Sequence, residues 1–246
     1  HNIEHEYYRG LARSSRNPFH KLFFHSEAAK LKNYEKIISS ADHILSIARH
    51  EAVYFRENYG QSVFIPAFHR FEEVSSLPGS GTYILFHGNL GVVENSEMFL
   101  SLARERLSRL PYQVVVAGKN PSPRFIKKIA RFPNIKLQAD PSDQVLDQLI
   151  AQAQINLLIT RQATGVKLKL LHALHAGRHC LVNPEMVEGS GLESLCAVAL
   201  SDTELELRIH ELMLLAFDET QIRKRKKALQ EYSNRAGAEK ILRLLT

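Results

Sequence analysis

Residues 161–183, RQATGVKLKLLHALHAGRHCLVN, hold a set of groups able to handle an anion. Thr164 and Gly165 make a turn signal ahead of an apolar-periodic segment, and Lys167 and Lys169 fall in its first turn. A helix N-terminus carries unpaired N–H groups and partial positive charge, so lysines there reinforce a site for phosphate. With the helix starting at Gly165, positions 165, 169 and 172 share one face. Gly165, Lys169 and His172 then look into a single cleft, while Val166, Leu170, Ala173 and Leu174 pack inward. Glycine lets a ligand approach the backbone, and lysine meets phosphate as a point charge. A solvated polar face on an ordinary helix has the same pattern, and composition does not separate the two.

The elements around this helix alternate. Apolar runs at 83–86, 113–117, 135–138, 155–159, 180–182 and 197–200 read as strands. Between them lie helical patterns at 95–108, capped by Asn95, at 124–132, and from a Ser142 cap to about Ala153. Continuous apolar strands spaced by amphipathic helices predict a doubly wound parallel sheet, whose ligands sit outside the carboxyl ends of the strands. Those ends carry Gly88, Asn89, Lys119, Asp140, residues 161–165 and Asn183. Upstream, a helix over 19–39, a strand at 43–48, a helix at 51–59 and a strand at 62–66 repeat the alternation with too few strands for an ordinary sheet. The polar stretch 71–81, FEEVSSLPGSG, reads as a linker. The expected organisation is therefore an incomplete first domain over 1–72, a linker at 73–81, a second domain over 82–218 and a closing helical region over 219–246.

The totals narrow the function. The chain has 246 residues, 44% hydrophobic and 24% charged, which excludes a disordered tail or a coiled coil. No apolar run approaches the roughly 18 residues of a membrane span. A net charge of +6 suits an acidic partner: nucleotide phosphates, anionic lipid or nucleic acid. Cys180 and Cys196 sit in apolar surroundings and read as buried reduced thiols, in keeping with a cytoplasmic protein. His5 and Glu6 begin an HExxH-like string that fails at Arg9, and His50 and Glu51 begin another that fails at Tyr54, so no metal site is expected. GxxxxGK[ST], GxGxxG strand-to-helix turns and GxSxG are all absent, which removes P-loop NTPases, ordinary dehydrogenases and serine hydrolases.

The segment ATGVKLKLLHALHAGRHCLVN resembles the donor-site segment of retaining glycosyltransferases of the GT-B fold, the large family-four-like group. FHGNLGVVEN at 86–95 is similar to their first C-domain strand and loop, and VVAGKNP at 115–121 to the end of the second strand. HNIEHEYYRGLA at the start looks like a stretch after the fourth strand of their N-terminal domain, and residues 226–245 like the helix that returns to it. The resemblance implies an α/β protein of two Rossmann-like domains, the first strands of the N-terminal one preceding His1. It implies sugar transfer from a nucleotide diphosphate-sugar to a glycan or lipid-linked acceptor with retained anomeric configuration, as in polysaccharide biosynthesis. The donor is expected on the C-terminal domain and the acceptor on the N-terminal one, with no metal and no nucleic acid involved. Lys169 takes the phosphate role, with Thr164, Gly165 and Lys167 beside it, and His1 approaches the transferred sugar. Gly88, Asn89, Lys119, Arg161 and His172 complete the donor rim, and Glu188 lies near sugar or ribose.

The chain departs from that pattern in two places. Thr164 and His172 stand where the group often has its pair of glutamates, and Asn89 and Glu94 where it has an Arg and a Lys for the diphosphate. These departures keep open a second reading, a degenerate GT-B-like protein that binds a nucleotide, glycan or partner without turnover. The run Arg223–Lys227, RKRKK, reads as a solvated helix face and a candidate contact with anionic membrane at about 1 kcal/mol per charge.

Overall fold

Runs such as Tyr83–His87 and Gln113–Gly118 lack the polar alternation of a half-wet strand, so the sheet built from them has both faces covered. The computed structural model describes residues 3–15, 17–161 and 167–245. These form two compact units, one of residues up to 69 together with those from 231 onward, the other of 70–230.

In the smaller unit α1 (Glu4–Ser14) packs on α2 (Pro18–Tyr34). Asn17 caps α2 by accepting from Phe19 N at 2.9 Å, and Pro18 supplies the fixed φ of a first helical position. The expected helix over 19–39 ends early: a 3₁₀ segment, Glu35–Ser40, follows α2. Leu22, Phe23 and Ile37, apolar positions of that segment, are exposed. Then come β1 (Ile44–Ser46), α3 (Arg49–Tyr59) and β2 (Ser62–Phe64), with β1 and β2 paired in parallel. What joins these helices is Glu35, buried and saturated with donors. It accepts from Tyr54 Oη at 2.5 Å, Tyr59 Oη at 2.6 Å, His5 Nδ1 at 2.9 Å and Lys32 Nζ at 3.1 Å. Burial alone would raise its pKa, but the two tyrosine hydroxyls, Lys32 and His5 hold the carboxylate below its usual range.

The larger unit alternates strand and helix and closes on two helices: β3 (Tyr83–His87), α4 (Val93–Glu105), β4 (Gln113–Gly118), α5 (Pro123–Ile129), β5 (Ile135–Ala139), α6 (Asp143–Gln152), β6 (Ile155–Leu158), α7 (Leu168–Ala176), β7 (His179–Val182), α8 (Pro184–Val187), β8 (Ala197–Val198), α9 (Asp202–Leu214) and α10 (Glu219–Leu229). Its strands lie in the order β5-β4-β3-β6-β7-β8, all parallel. Phe86, Phe99 and Phe125 are almost wholly buried in the core, with Phe86 and Phe99 rings 4.8 Å apart. Full burial of each such side chain contributes about 2–3 kcal/mol. The chain closes with α11 (Asn234–Leu245) in the smaller unit.

Several local expectations change. Asn95 lies inside α4, which starts at Val93, and its side chain donates instead to Asn89 O at 3.0 Å. The single closing helix over 226–245 is two helices, α10 and α11. Residues 75–81 are no free linker but a strap along the larger unit. Ser75 N donates to His175 O at 2.8 Å, Gly79 exchanges two backbone bonds with Phe217, and Gly81 N donates to Gln154 Oε1 at 2.6 Å. Gly79 sits at φ +92°, a conformation side chains resist. Cys180 is buried as expected, whereas Cys196 is only half-buried.

The basic run needs the largest correction. Arg225, its central residue, is 2% exposed. Its guanidinium donates to Ser76 Oγ at 3.1 Å, Leu174 O at 3.3 Å, Gly177 O at 2.5 Å and Arg178 O, and lies over the Phe217 ring. The i, i+2 flanks Arg223 and Lys227 face solvent, so the run is one structural cation within a solvated face. Replacing Arg225 by Ala strands several buried carbonyls and is expected to cost about 3 kcal/mol or more. Arg223→Ala and Lys227→Ala are expected to stay within about 0.5 kcal/mol, all three read by urea denaturation.

Candidate functional site

In an open parallel sheet the loops on two neighbouring strands diverge where the strand order reverses, and a crevice opens there. Here that point lies between β3 and β6, and it gathers the carboxyl ends bearing His87, Gly88 and Asn89 on one side and Ile159 to Arg161 on the other.

The β3 side is shaped by glycine. Gly88 N donates to Ala117 O at 3.1 Å, and Leu90 N and Gly91 N donate to Lys119 O at 2.9 and 3.2 Å, closing the loop onto the end of β4. A Cβ on Gly118 would stand 1.9 Å from Gly88 O, so the approach requires glycine. Over Gly88 itself the space is open: a Cβ there meets only Asn95 Nδ2, at 3.8 Å. The neighbouring turns hold Asn120 at φ +55° and Asp140 at φ +46°, joined by Asn120 N to Asp140 Oδ1 at 2.7 Å. Both are side chains that tolerate the left-handed region, and together they fix the rim of β4 and β5.

On the β6 side, α7 starts at Leu168 with Lys167 as its N-cap, and the Gly165 start inferred from periodicity lies outside the described residues. Lys169 is half-buried at this start, its Nζ donating to Ile159 O at 3.1 Å. Burial first, and the charge of Lys167 second, push its pKa down to about 8, while Glu94 pulls the other way. Leu170, Ala173 and Leu174 pack inward as expected. His172 does not open onto a cleft: it is buried, stacked under Phe71 with ring centres 4.4 Å apart. Its Nε2 lies 2.8 Å from Asp147 Oδ1 as an ion pair rather than a well-directed hydrogen bond, and Asp147 also binds Arg70. Burial outweighs Asp147 and lowers the His172 pKa.

His87, the last residue of β3, was not singled out by its sequence context. It is 5% exposed, and among the described residues its Nε2 finds no hydrogen-bond partner. Its ring centre is 6.4 Å from that of His172. Burial, then His172 and Lys169, push its pKa down to about 3, so the ring is neutral.

The other expected site residues divide. Gly88, Asn89 and Lys119 meet at the β3 and β4 rim through backbone contacts, the Lys119 side chain being exposed and 3.9 Å from Asp143. Arg161 is exposed and lines a cleft of about 510 Å³ with Asn183, Glu185, Ser201 and Asp202; Lys119 and Lys169 are not in that lining. Glu188 is exposed just beyond α8. His1, Thr164 and Gly165 lie outside the described residues.

No family model and no curated protein matches the sequence. Solved structures do match its shape. A variant of S. aureus TarM, in complex with fondaparinux, alpha-GlcNAc-glycerol and UDP, is 10% identical, with a TM-score of 0.64 over 87% of this chain and 46% of that one. A glycosyltransferase from Rickettsia africae is 13% identical, with a TM-score of 0.62 over 94% of this chain and 74% of its own. HepE from Anabaena, in complex with UDP and glucose, is 13% identical, with a TM-score of 0.62 over 89% and 66%. The chain has a GT-B glycosyltransferase-like fold. It spans about half the length of TarM.

Gly118→Ala tests the rim directly. It is expected to force the Gly88 loop away and cost about 1–3 kcal/mol, seen as a lowered thermal midpoint.

Proposed function

We propose that the larger unit binds the donor of a glycosyltransferase, a nucleotide diphosphate-sugar, and that the whole protein transfers the sugar with retention to a glycan or lipid-linked acceptor. The observation that carries this reading is Lys169, a half-buried ammonium at the start of α7, on the strand rim where a sheet of this order binds ligands. A cation held there, on the same rim as the space over Gly88, stabilises the charge that a departing diphosphate develops. Lys169 and the α7 N-terminus supply that charge, so the reading includes no metal. Glu94, where the resembling enzymes have a lysine, favours the protonated form of Lys169. A cytoplasmic location and contact with anionic membrane through the solvated members of the 223–227 run belong to the same reading.

The buried, Asp147-paired His172 favours a second reading, binding without turnover, because no carboxylate stands at that place. Titration of UDP-, GDP- and ADP-sugars followed by an assay for donor hydrolysis separates the two. Turnover supports transfer, and binding without it across many acceptors supports the second.

Lys169→Ala is expected to weaken nucleotide-diphosphate binding about tenfold or more, by calorimetry; unchanged affinity removes Lys169 from the phosphate role. The pH dependence has a defined sign. Lys169 is charged below its free-protein pKa of about 8 and neutral above it, and an anionic ligand binds the charged form. Affinity is therefore expected to be level from pH 7 toward 8 and to fall by up to about tenfold per pH unit above it. Lys169→Ala is expected to abolish that fall.

A further inference from the structure

We infer that His87 is a ligand-contacting residue of this site, its Nε2–H donating to an oxygen of the donor's diphosphate. The inference rests on the donor reading above and adds a residue and a contact to it.

A buried polar atom without a partner is a standing cost, and folded chains rarely keep one without a use for it. His87 Nε2 is such an atom. It belongs to the last residue of β3, in register with Ala117, at the strand end where the order of the sheet reverses. At the next residue, Gly88, the space where a side chain would stand is open, with only Asn95 Nδ2 within 4 Å. The His172 ring centre is 6.4 Å away, and Lys169 lies close enough for its charge to act on the ring. An orphaned nitrogen and a half-buried ammonium thus share one rim with a glycine that leaves space for a ligand, and a diphosphate oxygen satisfies both donors. The ring stays neutral at physiological pH, so it serves as a fixed N–H donor and leaves the charge to Lys169.

This predicts opposite effects on binding and on stability. His87→Leu removes the orphaned nitrogen at similar volume. The ligand-free variant is expected to melt at the same or a higher temperature than wild type, while its affinity for a nucleoside diphosphate falls about ten- to hundredfold. His87→Gln retains an amide N–H and is expected to recover part of that affinity. Calorimetric titration of the full-length protein with UDP, GDP and ADP, with the matching nucleosides, and with pyrophosphate reads the contact. Loss confined to the phosphate-bearing probes supports the assignment; an equal loss for the nucleosides overturns it. Wild-type affinity in both variants also overturns it while leaving the donor reading intact. A His87→Leu variant that melts several degrees lower, or fails to fold, assigns His87 to the core instead. If wild type binds none of the three diphosphates, the donor reading falls and this inference falls with it.

Discussion

The helix at the centre of the larger unit is held at both ends by cations. At its C-terminus the Arg225 guanidinium takes up the carbonyls of Leu174, Gly177 and Arg178, which the helix cannot satisfy itself. At its start Lys169 is tied to the carbonyl of Ile159. The two are not equivalent. Arg225 is saturated by fixed acceptors and stacked on Phe217, so it has no capacity left for a ligand. Among the described residues Lys169 Nζ donates to one backbone carbonyl, and an ammonium has three N–H groups to offer. The C-terminal anchor sets where the helix stands, and that position determines where the ammonium lies on the rim.

The strap over 75–81 extends this arrangement. Ser75 and Ser76 share the His175 carbonyl, and Ser76 also accepts from Arg225, so strap, α7 and α10 meet at one buried polar node. Just upstream, Phe71 covers His172 and stacks beside His175 at 5.5 Å. The polar face assigned to α7 from its periodicity is therefore covered near its middle and accessible only at its first turn.

Much of the larger unit was legible in the sequence because its strands are buried on both faces and stand out as unbroken apolar runs between caps such as Ser142. The ligand-bearing edge followed from that, since parallel strands put all their carboxyl ends on one side. Other features were hidden for specific reasons. His87 closes an apolar run and reads as the polar residue that ends a strand; only its missing partner distinguishes it. Arg225 lies in a string of like charges, where one buried guanidinium looks like its neighbours. Phe71 sits in a segment whose glycines, serines and proline signal a linker, although its backbone is tied to the larger unit at Ser75, Gly79 and Gly81. In the smaller unit Leu22 and Phe23 of α2 are exposed, because a helical pattern of apolar residues does not record what is packed against it.

The tyrosine cluster around Glu35 has an optical consequence. The chain contains no tryptophan and eight tyrosines, so its near-ultraviolet emission comes from phenol rings. Tyr7, Tyr8, Tyr34, Tyr54, Tyr59 and Tyr232 belong to the smaller unit, and only Tyr83 and Tyr112 to the larger. Tyr54 and Tyr59 donate to a carboxylate, an arrangement that quenches phenol fluorescence and releases it when the cluster opens. Emission thus follows the smaller unit, while far-ultraviolet dichroism is weighted toward the larger. The composition of the chain supplies a separate signal for each of its two units without any added label.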